Sequence, residues 1–482
     1  MDETTPPAEL TLEEWDATPV RVRALVQALR SRHHLLEARV AELEARLNQN
    51  SQNSSKPPSS DPPSAPPRPT KTPRGKPKPK GAQPGYPDQQ RELVPEAEVD
   101  SLVPVFPSAC PHCAQSLSSN LRSVGVPLRQ QQFDLPEVKP IVTEYQLHAV
   151  CCPGCGDLVT AQRPAHLPPG CFGPGVVALI ALLHGRYRLS HREVVSYLLM
   201  VWRLPISVGS VVNLQQVAAS ALAPAMDEVQ AAIEQADHVN VDETGWREGK
   251  AKPWLWVAVS AYATRFLLQY GRGKKQLRQL LGEAFVGLVT SDRLSAYNSL
   301  ESRRRQLCWA HLVRNLRARA EAKGPWQAEA AALLAHAEEV LRLWAQYRAG
   351  AREHATMKAE LAAIQAAMRQ KVEQAQQQTN YLGSLCAELV KRWEALWTFV
   401  DADGVEPTNN AAERALRPAV LWRKGCYGTQ SEGGSRFVER MLTVSATCQQ
   451  HERPLLPYLV EAVTAYWAGQ PAPRLVPANP TP

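Results

Sequence analysis

Within the first fifty residues, apolar side chains return every seven positions. Val26, His33, Val40 and Leu47 form one row and Val22, Leu29, Leu36 and Leu43 the next, the spacing of a short coiled-coil seam. The polar run NQNSQNSSKPPSSDPPSAPPRPTKTPRGKPKPKG that follows offers that seam no core to pack on. The pattern therefore predicts self-association through residues 1–50 and a disordered, proline-rich linker over 51–95. From Gly173 to about Ala236 the apolar spacing becomes helical. SHREVVSYLLM and SVGSVVNLQQVAASAL are separated by VWRLPI, with Ser207 as N-cap of the second helix. This suits a helix-turn-helix that reads DNA and equally a plain helical pair; residues 170–236 are taken as a helical DNA-binding domain. After Asp237 strict alternation takes over. HVNVDE, WLWVAVS and TRFLLQY read as strands, Lys274–Ala284 as a helix, and VGLVTSD and RQLCWA as two further strands, a mixed sheet with helical cover. An Ala-, Gln- and Glu-rich helical stretch at about 313–400, anchored by Trp326, Trp344, Trp393 and Trp397, looks inserted. A helix opens near NNAAERALR, and the tail after Trp467 has the composition of a disordered end.

Length changes this picture little: 482 residues suggest two to four units plus linkers. Charge adds a local point. The formal balance of +7 is mild, but between Arg68 and Lys80 the linker carries six basic side chains and no acidic one. It serves either as a solvated spacer or as a phosphate-binding arm. The longest apolar run, VVALIALL from Val176, falls short of the roughly 18–20 residues that span a bilayer, so a cytoplasmic protein with no membrane partner is expected.

Ten cysteines are too sparse for a disulfide scaffold. Five cluster. CPHC at Cys110–Cys113 and CPGC at Cys152–Cys155 are paired Cys-x-x-Cys knuckles whose four sulfurs suit one structural Zn²⁺. The strand-like RQQQFDLP and VTEYQLHAV between them suggest a zinc ribbon over 96–165; redox dithiols are the alternative. CWAH at Cys308–His311 has ligand-like spacing but no second pair, and Cys308 is read as a core thiol.

Three acids complete the chemistry. Asp242 closes the first core strand in VNVDE, Asp292 closes a later one in GLVTSD, and Glu413 lies in the first turns of the NNAAER helix. Adjacent strand residues face opposite ways, so Glu243 is read as a neighbour of the site and not a ligand. Three such carboxylates can hold two Mg²⁺ or Mn²⁺ ions about 3.5–4 Å apart. Each acid taken singly also has an ordinary role: Asp292 as a helix cap, Glu413 as a partner of Arg417. Strand with Asp, two strands, helix, strand with Asp, strand, then helix with Glu is the order of a ribonuclease-H-like core, expected here at 237–440.

Jointly, NSSKPPSSD, the two knuckles, VDETGW, TSDRLSAY, CWAHLVRNL, TNNAAERALRP and EGGSRF make the chain resemble a transposase of the insertion sequence 66 family, a branch of the Asp-Asp-Glu transposases. The likeness covers nearly the whole length, with Thr408 standing where the family commonly shows an acid. The resemblance implies a multidomain α+β protein with coiled coil, zinc ribbon, helix-turn-helix-like domain and ribonuclease-H-like α/β core with a helical insertion. It implies Asp242, Asp292 and Glu413 as catalytic ligands of two divalent ions, cleavage that exposes 3′ hydroxyls at the element's ends, and joining of those ends to target DNA. Double-stranded DNA, further copies of the chain and accessory proteins are the implied partners. Arg303–Arg305, Arg414, Arg417, Arg423 and Lys424 are candidates for DNA phosphates. A repurposed DNA-binding protein and a simple nuclease of the same fold are the competing readings.

Overall fold

The computed structural model describes residues 12–47, 92–117, 122, 124–164, 167 and 170–477. The basic run from Arg68 to Lys80 lies outside them. The chain divides into two units, Met1–Pro66 with Thr143–Pro482, and Pro67–Val142.

A short helix α1 (Leu12–Ala17) precedes α2 (Val20–Leu47), a single helix of 28 residues. On α2 the expected seam is uncovered: Val22, Leu29, Leu36 and Val40 are 45–59% exposed.

In the smaller unit, the side-chain amide of Gln131 brackets the backbone of Val94, accepting from its N–H and donating to its carbonyl, both at 2.8 Å. Of the strands expected between the knuckles only the end of VTEYQLHAV forms one, at Ala149–Cys151, because residues 124–147 carry no ladder and Leu128 and Ile141 are 100% and 97% exposed. An extended segment with neither a pairing partner nor an apolar layer has nothing to hold its pleat. In the larger unit, β1 (Ala149–Cys151) pairs antiparallel with β2 (Leu158–Thr160).

Helices α3 (Pro174–Gly185), α4 (His191–Trp202), α5 (Val208–Ala221) and α6 (Ala223–Glu234) follow. Ser190 caps α4 in a reciprocal box with Glu193, and Ser207 accepts from the Ser210 N–H at 3.0 Å to start α5. The sheet comprises β3 (His238–Gly245), β4 (Trp254–Val259), β5 (Thr264–Gln269), then α7 (Lys274–Leu281), β6 (Leu288–Ser291) and β7 (Arg305–Leu307). Its order is β5-β4-β3-β6-β7. β4 runs antiparallel to both β3 and β5, whereas β6 is parallel to β3 and β7 to β6. Four successive residues of β4, Leu255–Ala258, are buried, so both faces of the sheet are covered.

Next come α8 (Trp309–Glu321), α9 (Gln327–Arg348), α10 (His354–Ala375), α11 (Tyr381–Lys391) and α12 (Trp393–Trp397). They form the insertion around their own core of Leu312, Leu333, Leu361, Leu385 and Trp397. It begins at Trp309 instead of near 313, because the chain turns helical directly after β7. The rings of Trp309 and Trp397 meet at 5.0 Å.

Closing the chain are α13 (Asn410–Cys426), α14 (Glu432–Gln450) and α15 (Leu455–Ala468). Two expectations are corrected here. The core does not end at 440, since α14 runs through that position and packs on β5. Nor is the tail after Trp467 disordered up to 477: Leu475 and Val476 are buried, and their N–H groups donate to the Glu228 carboxylate at 2.8 and 3.0 Å.

The helical stretch is also not a separate module. Val177 of α3, Ala218 of α5 and Ile233 of α6 share one core with Val239 of β3 and Phe437 of α14. α5, the would-be recognition helix, is packed by α3, α14 and α15 and leaves only Val208, Gly209 and Asn213 exposed. A helix entering a major groove needs an open face, and α5 offers one only over its N-terminal turns. No helix among the described residues is long and apolar enough to cross a membrane.

Candidate active site

The parallel register of β3 and β6 sets the first two acids. Asn240 pairs with Thr290, and Asp242 and Asp292 each lie two residues further on. With a side-chain period of two and strands about 4.8 Å apart, both carboxylates emerge on the same face at the same sheet edge. Asp292, just past β6, turns its Oδ1 to accept from the Leu294 N–H at 2.8 Å. Its carbonyl accepts from Arg305 Nη2 at 2.7 Å. Arg305 is 1% exposed and stacks over Tyr297, so this cation shapes the backbone at Asp292.

Glu413 arrives from α13, which packs on β3 and β4. Asn409, the N-cap, ties the start of that helix to the sheet: its Nδ2 donates to the Val241 carbonyl at 2.8 Å, one residue before Asp242. The three acids feel one another. Burial first, then the charges of Glu243, Asp292 and Glu413, hold the Asp242 carboxyl well above the ordinary aspartate range. Among the described residues, neither Asp242 nor Asp292 forms an ion pair with Lys or Arg, and Glu413 Oε1 is buried without a hydrogen-bond partner.

Glu243 points elsewhere, as the strand period requires. Its side chain is fully buried, accepts from Arg272 Nε at 2.8 Å and from the Tyr297 hydroxyl at 2.7 Å. Arg272 in turn lies over the Trp254 ring at 4.4 Å. VDETGW and TSDRLSAY are thus linked by a buried acid.

Sequence reasoning missed the CWAH segment. The Cys308 N–H donates to the Ser291 carbonyl at 2.9 Å, which sets the first turn of α8 beside Asp292. His311 Nδ1 consequently lies 3.6 Å from Glu413 Oε1. The signals in the chain were the ligand-like spacing of Cys308 and His311 and the place of CWAHLVRNL among the family-like motifs.

Against known proteins, residues 169–436, more than half of the chain, match the Transposase IS66 family. The chain belongs to that family. Residues 107–156 match the zinc-finger binding domain of transposase IS66, and residues 4–92 a family of unknown function, DUF6444. Two curated relatives come from Sinorhizobium fredii (strain NBRC 101917 / NGR234). "Uncharacterized protein y4qI" is 28% identical over 275 residues, covering 50% of each chain. "Uncharacterized protein y4hP" is 38% identical over 87 residues, 18% of this chain and 16% of the relative. The chain thus spans about half the length of y4qI and less of y4hP.

Within the IS66-family match, all three acids and His311 fall between 169 and 436. The two cysteine turns fall inside the zinc-finger match and share one geometry. In the first, the Cys110 N–H donates to the Gln115 carbonyl at 2.9 Å and its carbonyl accepts from the Ala114 N–H at 2.9 Å. In the second, Cys152 does the same with Asp157 at 2.7 Å and Gly156 at 2.8 Å. Ala114 and Gly156, each four residues after the leading cysteine, both have positive φ, 58° and 82°. Backbone N–H groups of Cys113 and His112 hold the Cys110 thiol below its usual range, and those of Cys155 and Gly154 do so for Cys152.

Of the basic candidates, Arg305 is buried and Arg304 Nη2 donates to the Phe285 carbonyl at 3.0 Å. Arg423 donates to the Gly245 carbonyl and to Thr244 Oγ1, clamping α13 to β3. Buried or backbone-bound guanidiniums are not free for phosphate. Arg303, with a side chain 87% exposed, lies 4.0 Å from the Glu394 carboxylate.

Proposed function

We propose that this IS66-family chain is a DNA transposase that binds the ends of its element, cleaves there and joins those ends to target DNA. The observation that supports it most is the convergence of Asp242, Asp292 and Glu413 on one sheet edge, with charges that oppose one another and, among the described residues, no ion pair from Lys or Arg to any of the three. The sheet order, three antiparallel strands followed by two parallel ones, accords with a ribonuclease-H-like core. An all-oxygen set of crowded carboxylates fits hard divalent cations. Two Mg²⁺ or Mn²⁺ ions, when bound, supply activation of the attacking water or hydroxyl and stabilisation of the leaving oxygen. Asp242 and Asp292 hold them from the sheet, and Glu413 closes the site from the helix. Burial and the neighbouring charges favour the protonated form of Asp242. Arg305 and Asn409 fix the backbone around the acids, and Arg272 with Tyr297 keeps Glu243 turned away.

Cys110, Cys113, Cys152 and Cys155 hold one structural Zn²⁺ and serve end recognition. The exposed seam of α2 joins copies of the chain, and the protein works on double-stranded DNA in the bacterial cytoplasm, at the nucleoid, together with accessory proteins of the same element. The test is an assay on cognate element ends with Mg²⁺ or Mn²⁺, comparing wild type with Asp242→Asn and Glu413→Gln. Cleavage and joining by wild type, lost in both variants, is the expected result. Variants as active as wild type would overturn the acid assignment; cleavage without joining would indicate a nuclease, and end binding without chemistry a DNA-binding protein.

A further inference from the structure

Cys308, His311 and Glu413 bring a sulfur, a nitrogen and an oxygen donor within 4.8 Å of one another. The carboxylate chemistry calls for only the last. Several independent bonds hold the grouping in place. The Cys308 N–H donates to the Ser291 carbonyl at 2.9 Å and the Trp309 N–H to the Pro407 carbonyl at 2.8 Å, pinning the first turn of α8 between β6 and the approach to α13. The Trp309 indole donates to the Leu396 carbonyl at 2.7 Å. From the α13 side, the Asn409 N–H donates to Cys308 Sγ at 3.2 Å, an outer contact of the kind that steadies a sulfur ligand.

Two of the three donor atoms lack hydrogen-bond partners. His311 Nδ1 and Glu413 Oε1, 3.6 Å apart, are too far for a hydrogen bond, and both are buried with none among the described residues. Asn409 Oδ1, on a side chain with no exposed surface, is a third buried acceptor without a donor. Each such atom carries a penalty in the folded state, and His311 Nδ1 and Glu413 Oε1, side by side, need a common explanation. A cation among them supplies one.

We propose that Cys308, His311 and Glu413 form a binding site for a borderline transition metal ion, Zn²⁺ foremost, distinct from the cysteine turns and sharing Glu413 with the acid cluster. The donor set decides the class of ion. Thiolate and imidazole favour Zn²⁺ over Mg²⁺, which prefers oxygen and retains water. Ligand bonds of about 2.0–2.3 Å draw the three donors slightly closer by side-chain rotation and leave a fourth position open. Binding displaces the Cys308 thiol proton to solvent. Because Glu413 cannot serve both sites fully, zinc here withdraws it from Asp242 and Asp292 and suppresses magnesium-dependent cleavage. That consequence rests on the reading of the acids as the reaction centre; the binding does not.

The experiment uses the full chain, stripped of metal and titrated with Zn²⁺. Two zinc ions per chain are expected for wild type, one for His311→Gln and for Cys308→Ser, and one for the double variant Cys110→Ser/Cys152→Ser. Loading that double variant with Co²⁺ should give a thiolate charge-transfer band that vanishes when Cys308→Ser is added. Should Cys308→Ser fail to fold, His311→Gln decides alone. A double variant that binds no zinc, or His311→Gln with wild-type stoichiometry, overturns the proposal. In the cleavage assay with excess Mg²⁺, His311→Gln should need at least tenfold more Zn²⁺ than wild type for half-suppression, each measured against its own uninhibited rate. Wild type that cleaves in Mg²⁺ but holds only one zinc sinks the site and leaves the transposase reading standing. A second zinc without magnesium-dependent chemistry does the reverse.

Discussion

Asp242, Asp292 and Glu413 stand on a sheet and a helix whose neighbours are buried, whereas Cys110, Cys113, Cys152 and Cys155 stand on turns with scarcely a buried residue near them. The acids are 50 and 121 residues apart in succession, from 242 to 292 and from 292 to 413, and only a folded core can gather them. Each cysteine turn is closed within about six residues by its own backbone. The contrast is one of cause. At the sheet edge the fold holds like charges together in advance of any ion, so the ions proposed there would serve chemistry. In the cysteine segments little but an ion is available to hold the chain, so the ion serves structure.

Removing zinc should break that comparison most visibly. Cys110→Ser/Cys152→Ser, or chelation, should abolish amide protection over 107–117 and 148–161, a local loss on the order of 10 kcal/mol as in zinc-dependent peptides. The melting transition of the core should stay in place; hydrogen exchange and calorimetry on the same sample check both. At the other site the expected pattern is reversed. Asp242→Asn should slow cleavage on the order of 10³-fold, about 4 kcal/mol of barrier, yet raise the melting temperature of the metal-free protein, because it removes one of several opposed charges. A variant that melts lower would show that the acids are not crowded as described.

Acid sharpens the contrast further. The imidazoles of His184 and His238 are pushed from 6.5 down to about 4, chiefly by burial in the core. Between those values the unfolded chain takes up protons that the folded chain refuses. Stability is therefore complete above pH 6.5 and is lost as pH falls toward 4, by about 3 kcal/mol per imidazole. Urea unfolding across that window should show the slope, and His184→Gln should reduce it. The smallest effect is expected at the tether of α13. Asn409→Ala, which cuts the bond to Val241, should lower stability by about 1 kcal/mol and cleavage by a few fold, read from urea midpoints and initial rates.

Much of this molecule was legible from residue order, and the reason is local. Alternation in HVNVDE and WLWVAVS, the cap at Ser207 and the repeated Cys-Pro-x-Cys turns are set by neighbours a few positions away, and the elements formed where these signals lie. The period of two also separated Asp242 from Glu243 before any partner of either was known. Where long-range packing decides, residue order was silent or misleading. α5 carries helix-turn-helix spacing, but its faces are covered by α3, α14 and α15. Arg305 looks like a phosphate-binding cation in a basic run, but burial turned it into a brace for Asp292. The tail around Leu475 looks unstructured, but Glu228 accepts its backbone N–H groups.

Residue order by itself determined which donors exist and which way each points from its own strand or turn, since those depend on backbone geometry over a handful of bonds. Tertiary structure alone decided which donors meet. Parallel pairing of β3 with β6 set Asp242 beside Asp292, and the pinning of α8 and α13 to the same edge brought His311 to Glu413, 102 positions away in the chain. No local rule carries that information, because it resides in the packing of a core that buries the elements between them.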